Sequence, residues 1–212
     1  MYIFSRRAHL ALGNTRAAMT WAQDISEKTN QITSLDVSTF ASIFSPEFGT
    51  LVWSAFAPDL ASLEVANDKL LADDGYVAML DEGARFLQSN VDDALLQVVH
   101  GDVDPNRQVE YATTVQAVCA TGHVARGMEL GVEIAQRVAK ITGIPSLFAT
   151  GATGPYGSVA WLSGYADVQE MERAQQALAA DTSFVKFIDD KVRGVYVEDF
   201  EITRQLIYRR LV

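Results

Sequence analysis

His9 follows Arg7 by two positions in the opening run Met1-Tyr-Ile-Phe-Ser-Arg-Arg-Ala-His-Leu-Ala-Leu-Gly13. The run reads as a first strand over residues 2–11. In an extended strand, residues two apart share a face, so Ile3, Ser5, Arg7, His9 and Ala11 point together. An imidazole beside a guanidinium on one face can hold an anionic or enolic ligand, the histidine acting as general base. An ordinary, partly exposed strand face has the same pattern. His9 and Arg7 are therefore the candidate catalytic pair, and the residues around them decide what the pair is worth.

Trp53 and Trp161 are an aromatic pair in closely similar surroundings, Phe48-Gly49-Thr50-Leu51-Val52-Trp53 and Tyr156-Gly157-Ser158-Val159-Ala160-Trp161. Such a pair either plugs a core or walls a cavity for a planar ligand. Tyr111, with its phenolic donor, is a third substrate-pocket candidate. Cys119, the single cysteine, has no base near it in sequence and reads as an inert thiol. Gly151-Ala-Thr-Gly-Pro-Tyr-Gly157 lacks the Lys-Ser/Thr ending of a phosphate loop and joins two strands, which makes it a hairpin turn. Asp73 and Asp181 read as helix caps, with no sign of a carboxylate pair for acid–base work.

Formal charge is −10, from 27 acidic and 17 basic residues, which disfavours nucleic acid and anionic membrane surfaces as partners. Apolar residues make up 49% of the chain, ample for a core, yet no run is long enough for a membrane helix. The N-terminus reads as a strand, because Arg6 and Arg7 interrupt the place where a signal peptide would be apolar. One cysteine excludes an intramolecular disulfide and fits a reducing, cytoplasmic setting.

The two tryptophan segments are 108 positions apart, and the same offset carries Asp59 onto Asp167, Glu64 onto Glu172, Leu70 onto Leu178 and Asp73 onto Asp181. Backward, it places Ser38, Phe40 and Ala41 on Ser146, Phe148 and Ala149. From Ser34 to Glu82, thirteen of forty-nine positions are identical, where chance pairing would give roughly three; a tandem repeat is the reading. The first helix aligns with a one-residue slip, Trp21 on Leu130 and Ile25 on Ile134. At the 108 offset His9 falls on Ala117 and Arg7 on Val115, so any site they form belongs to one half.

Each half reads strand, helix, strand, strand, helix, short helix, strand. Asn14 caps a helix through about Ile32, whose Ala18, Trp21, Ala22, Ile25 and Thr29 share a face. Strands over 35–44 and 50–56 form a hairpin around Ser45-Pro46-Glu47. Asp59 caps the next helix, with Leu60, Leu63, Ala66 and Leu70 as its buried stripe. A short helix over 75–86 and a strand over 94–99 complete the half. The second half repeats this with a strand over 110–118, a helix over 123–141, strands over 146–150 and 157–165, helices over 167–179 and 183–191, and a last strand over 201–209. Gly101 to Arg107 is the linker, giving domains 1–104 and 105–212.

The fold expected is α+β: two ferredoxin-like βαββαβ repeats whose antiparallel sheets pack together as an intramolecular α/β barrel. Leu51, Trp53 and Ala55 on one side of their strand, and Val52, Ser54 and Phe56 on the other, leave neither sheet face fully wet. Through the two repeat cores, Phe48 to Asp81 and Tyr156 to Asp189, the chain resembles the dimeric α/β-barrel superfamily in fused form, over nearly its whole length. That resemblance implies a small-ligand protein, with cofactor-free monooxygenases acting on aromatic substrates among its members. It also includes haem-binding and NIPSNAP-type proteins, none of whose motifs is matched here.

His100 closes the last strand of the first half, which in this topology neighbours the strand of His9. Two histidines make a weak metal site, since zinc usually takes at least three protein ligands, and Asp102 and Asp104 lie in the polar linker. No metal or cofactor is expected. His123 opens a helix and reads as structural. The functional expectation is a planar, apolar small molecule in an enclosed pocket of roughly a few hundred Å³ lined by His9 or Arg7 with aromatic side chains. A non-catalytic interaction module and a haem-binding protein are the alternatives, and the outer helices leave a homodimer open.

Overall fold

A computed structural model describes every residue of the 212 except Leu12, Pro105, Phe200, Glu201 and Val212. The start of the expected last strand and the expected domain edges at 105 and 212 lie outside the described residues. The chain divides into two compact units, Met1–Leu96 with Arg209–Val212, and Gln97–Tyr208. The division falls inside a strand, Asp92–His100, instead of in the 101–107 segment.

The first unit runs β1 (Tyr2–His9), α1 (Thr15–Ile32), β2 (Ser38–Ser42), β3 (Thr50–Ala57), α2 (Leu60–Leu71) and α3 (Asp74–Gly83). A 3-10 turn, Ala84–Phe86, leads to β4 (Asp92–His100), within which the unit's first stretch ends at Leu96. The second runs β5 (Tyr111–Val118), α4 (Val124–Thr142), β6 (Ser146–Gly151), β7 (Ser158–Tyr165), α5 (Val168–Ala180), α6 (Thr182–Val192) and β8 (Arg204–Arg210). Element order is thus the same in both. Within the first unit β3 lies between β1 and β2, and within the second β7 lies between β5 and β6, all antiparallel.

Four helices begin as their sequences dictate. Asp59, Asp73, Asp167 and Asp181 each accept a hydrogen bond from the backbone N–H three residues on, at Ser62, Tyr76, Glu170 and Phe184. Each satisfies a donor that the first helical turn leaves orphaned. Asn14 departs from expectation. It precedes α1 with φ at 54°, in the left-handed region, and its side chain caps nothing. A working N-cap takes extended backbone so that its side chain can reach the second or third N–H, and Asn14 does not. The stripe expected on α2 is also shallower than expected: Ala66 is buried, Leu63 and Leu70 half-buried, and Leu60 half-exposed. Helices α1 and α3 take the sheet face in the first core, leaving α2 at its margin.

Each unit buries one sheet face under its helices. In the first, Trp21, Ile25, Leu51, Trp53, Tyr76 and Phe86 form the core. In the second, Leu130, Ile134, Phe148, Trp161, Phe187 and Tyr196 do so. Trp21 and Trp53 meet edge to face with ring centroids 5.6 Å apart, and Trp161 meets Tyr196 the same way at 5.5 Å. Such ring pairs add about 0.5–1.5 kcal/mol each beyond the area they bury.

The ladders correct the residue-by-residue match between the units. Arg6 pairs with Trp53, whereas Val115 pairs with Trp161. Thr39 pairs with Trp53, whereas Phe148 pairs with Trp161. Through β1, α1 and β2 the offset is therefore 109, and only from β3 onward is it 108. The change of offset falls in the hairpin, where the first unit's β2–β3 connection is one residue longer than the second unit's β6–β7 connection. Ser38, Phe40 and Ala41 are consequently not the equivalents of Ser146, Phe148 and Ala149. His9 corresponds to Val118 and Arg7 to Gln116, not to Ala117 and Val115. A one-residue slip inside a strand exchanges its faces, so hairpin loops are where such slack is tolerated.

Candidate ligand-binding face of the first unit

Alternation along β1 sends Ala8 into the core and Arg7 and His9 to the opposite face, which the α1 layer does not cover. There His9 stands directly across from Thr50, with Nδ1 and Oγ1 3.0 Å apart. Thr50 is 1% exposed, so its hydroxyl is a fixed partner for the ring. When Nδ1–H donates to Thr50, Nε2 carries the lone pair that a general base needs. Ser5 and Ser54, also directly paired, have hydroxyl oxygens 3.1 Å apart.

Arg7 reaches into the β2–β3 hairpin, where Nη1 lies 3.4 Å from Glu47 Oε1. The hairpin backbone is pinned: Thr50 N–H donates to the Glu47 carbonyl at 3.1 Å, and the Ser42 hydroxyl donates to the same oxygen. The register places Gln116 and Val118 of the second unit where Arg7 and His9 stand, with Ser158, Ala160 and Leu162 in place of Thr50, Val52 and Ser54. None of those five second-unit residues is ionisable. The pairing of β1 with β3 thus unites the two sequence-predicted residues with Thr50 and Glu47, which sequence reasoning did not single out. Thr50 becomes visible only once strand pairing is known. Glu47 reads as an ordinary turn residue until the hairpin is found to be the longer of the two.

The remaining candidates lie elsewhere. Trp53 and Trp161 are each 8% exposed in the cores under the helices, their indole N–H groups bonded to helix carbonyls. Tyr111 is half-buried against the cluster of Ile144, Tyr165, Met171 and Ala174. His100 is half-buried at the end of β4, and His123 is exposed ahead of α4. Cys119 is buried beside Gly127, and burial pushes its thiol up, which makes it a poor nucleophile. Tyr196 next to it donates to the Gly127 carbonyl at 2.6 Å, and burial raises its phenol well above the usual range.

An open groove of about 760 Å³ runs between α1 and α3, lined by Arg16, Trp21, Asp24, Met79, Arg85 and Phe86 among others. His9, Arg7, Trp53, Trp161 and Tyr111 do not line it. Among the described residues, no group of three or more His, Cys, Asp or Glu side chains is gathered as a metal ion would require. No helix among them is long and apolar enough to cross a membrane.

No family model matches the sequence, and no curated protein matches it. Solved structures do match over the whole chain. A monooxygenase candidate from Fusobacterium nucleatum superposes with a TM-score of 0.73 at 9% identity, covering 100% of this chain and 92% of that one. An anthrone oxidase-like protein gives 0.66 at 12% identity, covering 100% and 91%. A chlorite dismutase candidate gives 0.55 at 13% identity, covering 100% and 96%. At such identities the likeness shows the fold alone, α+β and ferredoxin-like. Its function is a separate question.

Proposed function

We propose that the protein binds a planar, mostly apolar small molecule on the His9 face of the first unit and oxygenates it without a bound metal or organic cofactor. The observation that carries this reading is the His9–Thr50 contact at 3.0 Å, with Arg7 two residues away on the same strand face. A fixed Nδ1 presents Nε2 toward an enolic or phenolic hydroxyl or an activated C–H, and Arg7 favours the negative charge that proton removal creates. Dioxygen is the oxidant: an activated methylene becomes a carbonyl, and the second oxygen atom leaves as water with the two hydrogens. The likeness to an anthrone oxidase-like protein and to monooxygenase candidates supports this reaction class.

Oxygen uptake with anthrone tests it. Turnover is expected in the wild-type protein and a fall of roughly 100-fold or more in His9→Val, the scale of a lost general base. Val118→His in the second unit is expected to change nothing. Uptake unaltered by His9→Val rules out the assigned base. A Soret band on adding haemin that disappears in His9→Ala favours haem binding instead.

A further inference from the structure

Arg6 and Arg7 are neighbours in sequence with opposite situations. On the helix side, Arg6 closes a two-bonded fork on Asp93, Nε to Oδ1 at 2.7 Å and Nη2 to Oδ2 at 2.8 Å. On the other face, Arg7 is no more exposed, at 27% against 34% for Arg6, yet its one side-chain hydrogen bond among the described residues is the 3.4 Å contact to Glu47. A guanidinium offers five N–H donors in a planar fork that matches a carboxylate, at about 2.7–2.9 Å when the match is good. The fork of Arg7 is unfilled.

Glu47 and Arg7 also belong to one unit only. Gln116 replaces Arg7, and the shorter hairpin of the second unit offers Gly154-Pro155-Tyr156 where the longer one carries Glu47. The pair keeps a half-buried guanidinium from standing without a counter-charge. Its length shows that Glu47 fills the position loosely.

We infer that Arg7 anchors a carboxylate of the ligand, which takes the guanidinium fork in place of the long Glu47 contact. The inference rests on the His9 face being the ligand site, and it names the substrate class: a planar aromatic carboxylate. Residues two apart on a strand lie about 7 Å from each other, so the proton yielded to His9 sits about an aromatic system's width from that carboxylate. Gln116 and Val118 give the second unit no such anchor, and each chain takes one ligand.

Calorimetric titration with 6-hydroxy-2-naphthoate and with 2-naphthol tests this on the full chain. The carboxylate is expected to bind roughly tenfold or more tightly than the naphthol, the scale of a charge-assisted fork, at one per chain. Arg7→Gln is expected to erase the difference, Arg7→Lys to keep only part of it, and Glu47→Gln to enlarge it severalfold. Equal binding of the two probes, or a preference that survives Arg7→Gln, overturns the inference. If both probes bind equally and His9→Val weakens both, the ligand site stands and only its carboxylate anchor falls. If neither probe binds, both fall.

Discussion

The indole N–H of Trp53 donates to the backbone carbonyl of Ala22 at 2.9 Å, and α1 is thereby bolted to the middle of the first sheet. The second unit repeats the bond between Trp161 and Gly131 at 2.8 Å. Both acceptors lie inside helices, both indoles are buried, and the Trp53 ring faces away from the side of its sheet that carries His9.

Trp53→Phe removes that donor and part of a packed ring. The expected loss is about 2–4 kcal/mol of unfolding free energy, because the core cannot close fully around a smaller ring. Urea denaturation measures it. Ligand affinity of the folded variant is expected to stay unchanged, and a specific loss of binding without loss of stability would contradict the packing role.

Arg6 and Asp93 tie β1 to the start of β4 with two short bonds while both side chains stay more than a third exposed. Hydrogen bonding to Asp93 is the largest cause of the raised Arg6 pKa, and solvent screening limits what that is worth. A double-mutant cycle of Arg6→Ala and Asp93→Ala is expected to give a coupling of about 0.5–1 kcal/mol. A coupling near zero would mean that the fork geometry has no energetic weight.

The acid limb of stability is expected to depend on the helix caps. The Tyr76 backbone N–H, followed by Lys28, holds the Asp73 carboxyl below its ordinary 3.8. The Ser183 hydroxyl and the Phe184 N–H do the same for Asp181. A carboxyl lowered in the folded state adds stability that is present above its unfolded value and lost as pH falls through the lower folded value. Asn can still accept the capping bond but cannot titrate. The double variant Asp73→Asn/Asp181→Asn should therefore show a shallower fall in urea midpoint between about pH 5 and about pH 2 than the wild type. Parallel curves would show that the caps do not carry the acid dependence.

Those caps were legible in the sequence because an N-cap is local: an Asp, three residues and an N–H decide it. The element order was legible for a similar reason, since periodicity is local too. The register was not. The shared Gly-x-x-x-Trp segments anchor a single offset that is right from β3 onward, and three chance identities at Ser38, Phe40 and Ala41 extend it one strand too far. Only cross-strand pairing shows that Phe40 faces away from the core while Phe148 is 0% exposed within it. The asymmetry of His9 and Arg7 survives the correction, because Val118 and Gln116 are no more ionisable than Ala117 and Val115. Thr50 and Glu47 stayed hidden because their importance is a property of what stands across from them.

The same correspondence sets a small residue against a large one in each core, in opposite ways. In the first unit the helix contributes Ala22, with Thr39 opposite Trp53 and its hydroxyl bonded to Ser26 Oγ at 2.9 Å. In the second the helix contributes Gly131, with Phe148 opposite Trp161. A Cβ built on Gly131 would meet the Phe148 ring at 2.1 Å. Two effects then oppose each other in Gly131→Ala: helix propensity favours Ala by about 1 kcal/mol, and overpacking a fully buried ring costs about 1–3 kcal/mol. Overpacking is expected to win, giving net destabilisation in thermal or urea unfolding. In a Phe148→Leu background the clash is relieved, and the same Gly131→Ala change should become neutral or stabilising. A Gly131→Ala variant more stable than the wild type would show that the ring moves aside at little cost and that the glycine is not there to seat it.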